Sequence, residues 1–459
     1  MIGILFYSVH LFGKYPIRVA ITAVFVSGWL LLPSSLHAIY NIPIIPFHSK
    51  TNAISLAVLL GIIIKHPKVF ENYRFHPIDI PVLCWSFVPF FSSITNDLGP
   101  YDGGGASLAK FVDYGIPYFI GRLCCGSFEG LKTLGIGMFI GALVIAPLAL
   151  MEMVISPQFH ILLYGWYPHD FSQTKRGLGY RPSVFMAHGL ELAIYNASSA
   201  LMGWQLYLRK TVERFVPLLK IPLFPSVVGL SVVLFISRSS GALALFIIAL
   251  VILQISIFLK TKLPLILFLL LPLVYMDLRA TGTWDGKALV DAAGSATGST
   301  ERVGSLSFRL YNESLLVQKA MLRPAFGWAG FQRSFIFDEK GHAVSVPDGM
   351  WILTLGQHGV VGLLSLSATL LLSPLIFVIR FPTRFLKDPL VAPAVAFAVC
   401  LGIFMFDDLF NAFFNPILIV AAGGLSTLAI HPNLTKDLFF KNKENGPLPP
   451  LPMTKTRVI

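Results

Sequence analysis

Long apolar runs alternate with short polar turns along most of the chain. A helix of roughly twenty apolar residues crosses a bilayer core, and on that measure about twelve spans are predicted. They centre near residues 26, 58, 86, 115, 145, 196, 227, 249, 270, 364, 398 and 421. The second, around Ala53 to Ile64, is short. The fourth, Ser107 to Leu123, holds Lys110, Asp113 and Pro117, so it reads as broken or re-entrant. The runs do not alternate as the strands of a membrane barrel do. The predicted class is all-α, a polytopic integral membrane protein.

The apolar pattern is interrupted once at length, over residues 279–348. That segment carries Arg302, Arg309, Glu313, Arg323, Arg333 and His342, and it ends in Pro347-Asp348-Gly349. The chain therefore divides into a membrane bundle of about nine spans over 1–278, the extracytoplasmic loop 279–348, and three more helices over 349–431. Residues 432–459, with the run Pro447-Leu448-Pro449-Pro450-Leu451-Pro452, read as a disordered cytoplasmic tail. Within the loop, Arg302 to Arg323 reads as an amphipathic helix, with Leu306, Leu310, Val317 and Met321 at helical spacing. Arg302 and Arg309 would share a face, and Arg309 and Glu313 stand one turn apart, placed to pair. Arg323-Pro324 ends this helix. The next one, Met350 to Ile379, would run about 45 Å, so its first turns stand clear of the bilayer.

Composition agrees with this reading: 55% of residues are hydrophobic and 13% charged, against about a quarter charged in a soluble domain. The formal charge of +12 lies in short loops rather than in a basic tract with interleaved aromatics, which excludes a nucleic-acid partner. One set of loops holds Lys65, Lys68 and Arg74; Arg209, Lys210, Arg214 and Lys220; Lys260 and Lys262; and Arg380, Arg384 and Lys387. By the positive-inside rule this side, with both termini, is cytoplasmic. The loops near 35–51, 95–106 and 157–182, the Arg238 turn and the long loop face the other side. Lys14 and Arg18 precede the run Val19 to Leu32, read as a retained first transmembrane helix rather than a cleaved signal. Cys84, Cys124, Cys125 and Cys400 lack metal-site spacing and read as small packing residues.

Few residues on the outer side suit chemistry. Arg238, in Ser237-Arg238-Ser239-Ser240-Gly241, is a polar turn residue or a binding group. Asp348 is placed to cap the following helix or to take a proton. For Arg302 and Arg309, solvated charges on an interfacial helix compete with ligand binding. Arg176 and Arg181 form a second basic cluster, and His188 and Glu191 start an apolar run where ionisable groups usually face a cavity or partner. His342 reads as a loop residue, and Asp407-Asp408 as another acid or an interface marker. There is no HExxH or Walker motif, so no cofactor is called for. Arginine forks suit a diphosphate, and a carboxylate suits deprotonation of a hydroxyl. A lipid-linked diphosphate sugar fits both, and its leaving group supplies the driving force.

Several stretches resemble the O-antigen ligase and O-antigen polymerase superfamily. Ser237-Arg238-Ser239-Ser240-Gly241-Ala242 resembles its S-R-x-x-G-A signature. Arg309 and Arg323-Pro324-Ala325-Phe326-Gly327-Trp328-Ala329-Gly330-Phe331 resemble its arginine helix and P-x-x-G-x-G loop. Asp348-Gly349, nine residues, then Gly359-Val360-Val361-Gly362 resemble H-[N/S/Q]-x9-G-x-x-G, with Asp348 where the family keeps histidine. Arg181-Pro182-Ser183-Val184-Phe185-Met186-Ala187-His188-Gly189 loosely resembles the R-P-x-G-x-F-x-H/N-P-N region. The resemblance implies a twelve-helix architecture of the membrane glycosyltransferase C type. It implies metal-independent transfer of a glycan from an undecaprenyl-diphosphate carrier to a glycan or lipid acceptor, at the outer face of a bacterial cytoplasmic membrane. By that resemblance Arg238 and Arg309 would bind the diphosphate and Asp348 would activate the acceptor. Arg302, Glu313, His342, Arg181 and His188 are auxiliary candidates. Aspartate is a weaker base than the histidine it replaces. The competing expectations are a transporter or flippase, disfavoured by the absence of an internal repeat, and a non-catalytic partner in polysaccharide assembly.

Overall fold

The structure, a computed structural model, describes residues 2–34, 49–177, 179–297, 300–330 and 332–431. The expected tail over 432–459 lies outside these residues. Nearly all regular structure is helical: α1 (Ile2–Lys14), α2 (Ile17–Leu31), α3 (Lys50–Lys65), α4 (Ile80–Ile94), α5 (Gly99–Lys110), α6 (Ile116–Cys124), α7 (Phe128–Ile155), α8 (Phe159–Tyr164), α9 (Gly189–Leu208), α10 (Leu223–Ile236), α11 (Ser240–Phe258), α12 (Leu263–Ala280), α13 (Lys287–Thr297), α14 (Thr300–Ala320), α15 (Met350–Arg380), α16 (Ala392–Asp407) and α17 (Pro416–Ile430). Between α8 and α9, β1 (Lys175–Arg176) and β2 (Gly179–Tyr180) pair antiparallel.

Five stretches among the described residues are long and apolar enough to cross a membrane: Pro77–Ile94, α7, α11, α12 and α15. The helices α2, α10, α16 and α17 are apolar and shorter. Each predicted span centre falls in a helix or, at residue 115, in the π turn Phe111–Gly115 that separates α5 from α6. The backbone keeps helical dihedrals through that turn, so the fourth span, expected to be broken or re-entrant, carries a π bulge instead of a break. Polar side chains start several helices: Ser49 accepts from Asn52 N–H at α3, and Ser127 from Gly130 N–H at α7. Asn415 caps α17, with Pro416 in the first turn, where no N–H is needed. The core centres on α9, α16 and α17, buried almost all round. On α10, α11 and α12, by contrast, Phe235, Phe258 and Leu267 stand exposed, as on helices facing an apolar medium.

The apolar pattern does not announce α1, which precedes α2 and packs along α3 in the same direction. Ile4 lies against the positions of Gly28 and Ile54, Ser8 Oγ donates to Ala57 O at 2.7 Å, and Phe12 lies against Gly61. Ile4 therefore lies toward the end of the bundle opposite Lys14 and Lys65. A further expectation is corrected: the long helix after Asp348 is not continuous. Gly359 has φ +65° and ψ −165°, and α15 is two helices meeting at that break.

The break is filled by the loop after α14. Trp328 N–H and Ala329 N–H donate to the carbonyls of Gly356 and Gln357, each at 2.9 Å. Val360 N–H donates to Pro324 O at 2.7 Å and Val361 N–H to Ala325 O at 3.3 Å. A Cβ on residue 359 would run into the Ala325 main chain. Glycine is needed here both for its positive φ and for this approach. Interrupted helices persist inside a membrane protein when neighbouring groups satisfy the freed amides, and this loop does so.

The loops expected on one side do gather at one end. Arg209 reaches Gln254, Lys262 reaches Ile379 O, Arg380 reaches Ala429 O and Arg122 reaches Arg74 O. The opposite end holds β1–β2, the Arg238 turn, α14 and the start of α15.

Candidate functional site

At that opposite end Arg309 Nε donates to Asp348 Oδ2 at 3.2 Å. The side chains are 29% and 35% exposed, so the pair is reachable from outside the bundle. Asp348 does not cap α15: the N-cap is Gly349, with no side-chain bond. The helix end is held by main chain instead, Met350 N–H donating to Asn411 O at 2.9 Å and Trp351 N–H to Asp408 O at 3.3 Å. Gly349 lies so close to the Leu409 carbonyl that any Cβ would collide with it. The α16–α17 turn thus seats Asp348 and frees its carboxylate for Arg309.

Further arginines lie at the same end of the bundle, Arg181 within electrostatic range of Arg309. Arg238 joins α10 to α11 with φ +60°. Its guanidinium donates to Arg176 O, and its carbonyl accepts from Arg181 Nη2 at 3.1 Å. The hairpin carrying Arg176 and Arg181 is anchored from below by Glu152 of α7. That buried carboxylate accepts from Phe159, Ser183 and Val184 N–H at 3.1, 2.9 and 2.7 Å. Burial and then the charges of Arg176 and Arg309 lower the Arg181 pKa to about 10. His188, at the head of α9, uses Nδ1 to accept from Leu190 N–H at 3.0 Å. It stacks on Phe413 and meets His169 edge-on. Burial, then His169, Arg181, Arg176 and Arg309, push its pKa down to about 3, so it is neutral near pH 7. Arg176, Arg181 and Arg309 all lie within electrostatic range of His188, and guanidinium groups suit an anion with several oxygens.

Other candidates are placed differently. The predicted Arg309–Glu313 pair does not form. Glu313 points into the junction of α12, α14 and α15, where it binds Arg279 Nε at 3.1 Å and Tyr275 Oη at 2.9 Å, with Trp351 Nε1 at 3.4 Å. A buried cation on a neighbouring helix outweighs a same-helix partner at the surface. His342 is on an exposed hairpin and meets only Asp338, at 3.4 Å among the described contacts. Arg302 lies on α14, but its side chain falls outside the described residues, as do Leu178 and Phe331 of the two loop motifs. Glu191 is buried and accepts from Ala187 N–H at 2.8 Å.

Two participants, Arg279 and Asn96, were not singled out from sequence. Arg279 ends an apolar run, where a basic residue reads as an ordinary interface anchor. Asn96 donates to Gly327 O at 2.9 Å and accepts from Arg323 at 2.7 Å, holding the loop that fills the α15 break. Asp407, read only as an alternative acid, is buried within electrostatic range of Arg309. Its Oδ1 accepts from Asn411 at 2.7 Å, and its Oδ2 has no hydrogen-bond partner among the described residues. No group of three or more His, Cys, Asp or Glu among the described residues is placed to hold a metal ion. Compared with known proteins, the chain matches no family model and no curated protein.

Proposed function

We propose that this protein is a membrane glycosyltransferase that polymerises or ligates a surface polysaccharide, using a polyprenyl-diphosphate-linked glycan as donor. In this reading about twelve helices cross the bacterial cytoplasmic membrane, and the arginine-rich end faces outward. The observation that carries it is the partly exposed Arg309–Asp348 pair, with Arg181 in electrostatic range of Arg309 and itself bonded to the Arg238 turn.

The reaction follows from those groups. An arriving diphosphate competes for the Arg309 guanidinium, which offers several donors to phosphate oxygens. As Arg309 turns to the ligand, the Asp348 carboxylate is released. The acceptor hydroxyl oxygen then attacks the anomeric carbon, forming the new glycosidic bond. The bond from that carbon to the diphosphate breaks, and its electron pair leaves with the lipid diphosphate. Asp348 takes the hydroxyl proton. Arg238 and Arg309 stabilise the charge growing on the leaving group, in a site positioned before reaction.

Transport is the second reading, and it draws on the interrupted helix α15. Transporter sites are often built at such breaks. The α15 break, however, is occupied by the chain's own loop rather than left open to a solute. The deciding experiment is transfer in proteoliposomes from a defined lipid-linked oligosaccharide. Asp348→Ala and Arg238→Ala should each lower turnover by about a hundredfold or more at unchanged protein abundance. Wild-type solute uptake without any glycan product would replace this proposal with transport.

A further inference from the structure

Two arginines and two carboxylates meet where α14 packs on α12 and the start of α15. Residues four apart on a helix share a face, so Glu313 is the natural local partner of Arg309. It is engaged elsewhere. Glu313 Oε2 takes Arg279 Nε at 3.1 Å and Tyr275 Oη at 2.9 Å. Arg279 uses four of its five N–H donors: Nε on Glu313, Nη2 on Leu310 O at 2.6 Å and Ser314 Oγ at 3.0 Å, and Nη1 on Trp284 O at 3.2 Å. Both side chains are almost fully enclosed, 3% and 5% exposed, whereas Arg309 holds a single carboxylate bond at 29% exposure. One arginine is heavily bonded and shut in; the other is accessible and lightly held.

We infer that Arg279 is a positioning residue that keeps Arg309 available to an anionic ligand by sequestering Glu313. The inference rests on the reading of Arg309 as a diphosphate-binding group. Its physical basis is competition. A buried carboxylate needs a charged partner, because removing one member of an enclosed pair leaves an uncompensated charge. Without Arg279, Glu313 keeps only the neutral donors of Tyr275 and Trp351. The cation one turn away is Arg309, and a carboxylate bound there opposes any incoming phosphate. Arg279 would thus act on the ligand without touching it.

The test is binding of inorganic diphosphate to the purified full chain, by titration calorimetry. Arg279→Leu should weaken binding about fivefold, the effect of one new partly exposed ion pair on Arg309. Glu313→Gln in the same chain should restore it to within about twofold of wild type, and Glu313→Gln alone should bind as wild type does. A purely structural role for Arg279 predicts no such rescue. Unchanged affinity in Arg279→Leu, or a double variant as weak as the single, overturns the inference while leaving the diphosphate reading intact. Absence of binding by wild type overturns both. Should Arg279→Leu fail to give a folded, monodisperse protein, Glu313→Gln alone decides. Retained binding upholds the partition, and lost binding puts Glu313 in the ligand site and overturns it.

Discussion

Asp348 spends one carboxylate oxygen on Arg309 and leaves its helix end to main-chain partners. Near it His188 is held neutral by burial and by the arginines around it. With its folded pKa near 3 and an unfolded value near 6.5, the unfolded chain binds more protons between those limits. Stability from this group is complete above about pH 6.5 and falls as pH drops toward 3. By pH 5 the loss is about 2 kcal/mol. The melting temperature in detergent should therefore fall more between pH 7.5 and 5 for wild type than for His188→Asn, whose amide keeps a helix-capping acceptor. Equal falls in both would rule out His188 as the source. The sequence made Asp348, Arg238 and Arg309 conspicuous because charged groups stand out beside apolar runs. It misplaced Glu313 because helical spacing describes only one helix, and Arg279 approaches from another.

Gly359 lets α15 change direction and admits the main chain of Pro324 and Ala325. Alanine there would meet both a strained φ and a collision, at a cost of about 1–3 kcal/mol or more. Gly359→Ala should lower the melting temperature clearly. Gly104→Ala, in open space on α5, should leave it unchanged or slightly raised. A neutral Gly359→Ala would mean the loop does not occupy the break. At this scale the apolar runs located the helices well, since burial in lipid or core demands the same residues. They hid the α15 break, because its apolar pattern continues on both sides and the filling loop lies earlier in the chain. They also omitted α1, which is short and carries Ser8, His10 and Lys14. Its packing on α3 depends on Ser8 and on the small Gly61, which no hydrophobic count registers.

Across the whole molecule the two ends differ in character, one gathering basic loops and the other the Arg309–Asp348 pair. In the proposed orientation, which follows the positive-inside rule, the first faces the cytoplasm. In a cysteine-free background, His342→Cys should react with a membrane-impermeant maleimide on intact spheroplasts, and Lys68→Cys only after lysis. Labelling of Lys68→Cys on intact spheroplasts would invert the orientation and move the arginine cluster inside. The charge pattern carried this two-ended arrangement in the sequence; the joining of the hairpin to the Arg238 turn and of Arg309 to Asp348 depended on long-range packing. The loop threaded into α15 has one more consequence. It fills a gap within the helical bundle with bonded main chain where water would otherwise enter to solvate exposed amides. In the proposed membrane setting that makes it an electrical seal, insulating the ion gradient of the cell from a site open to the outside.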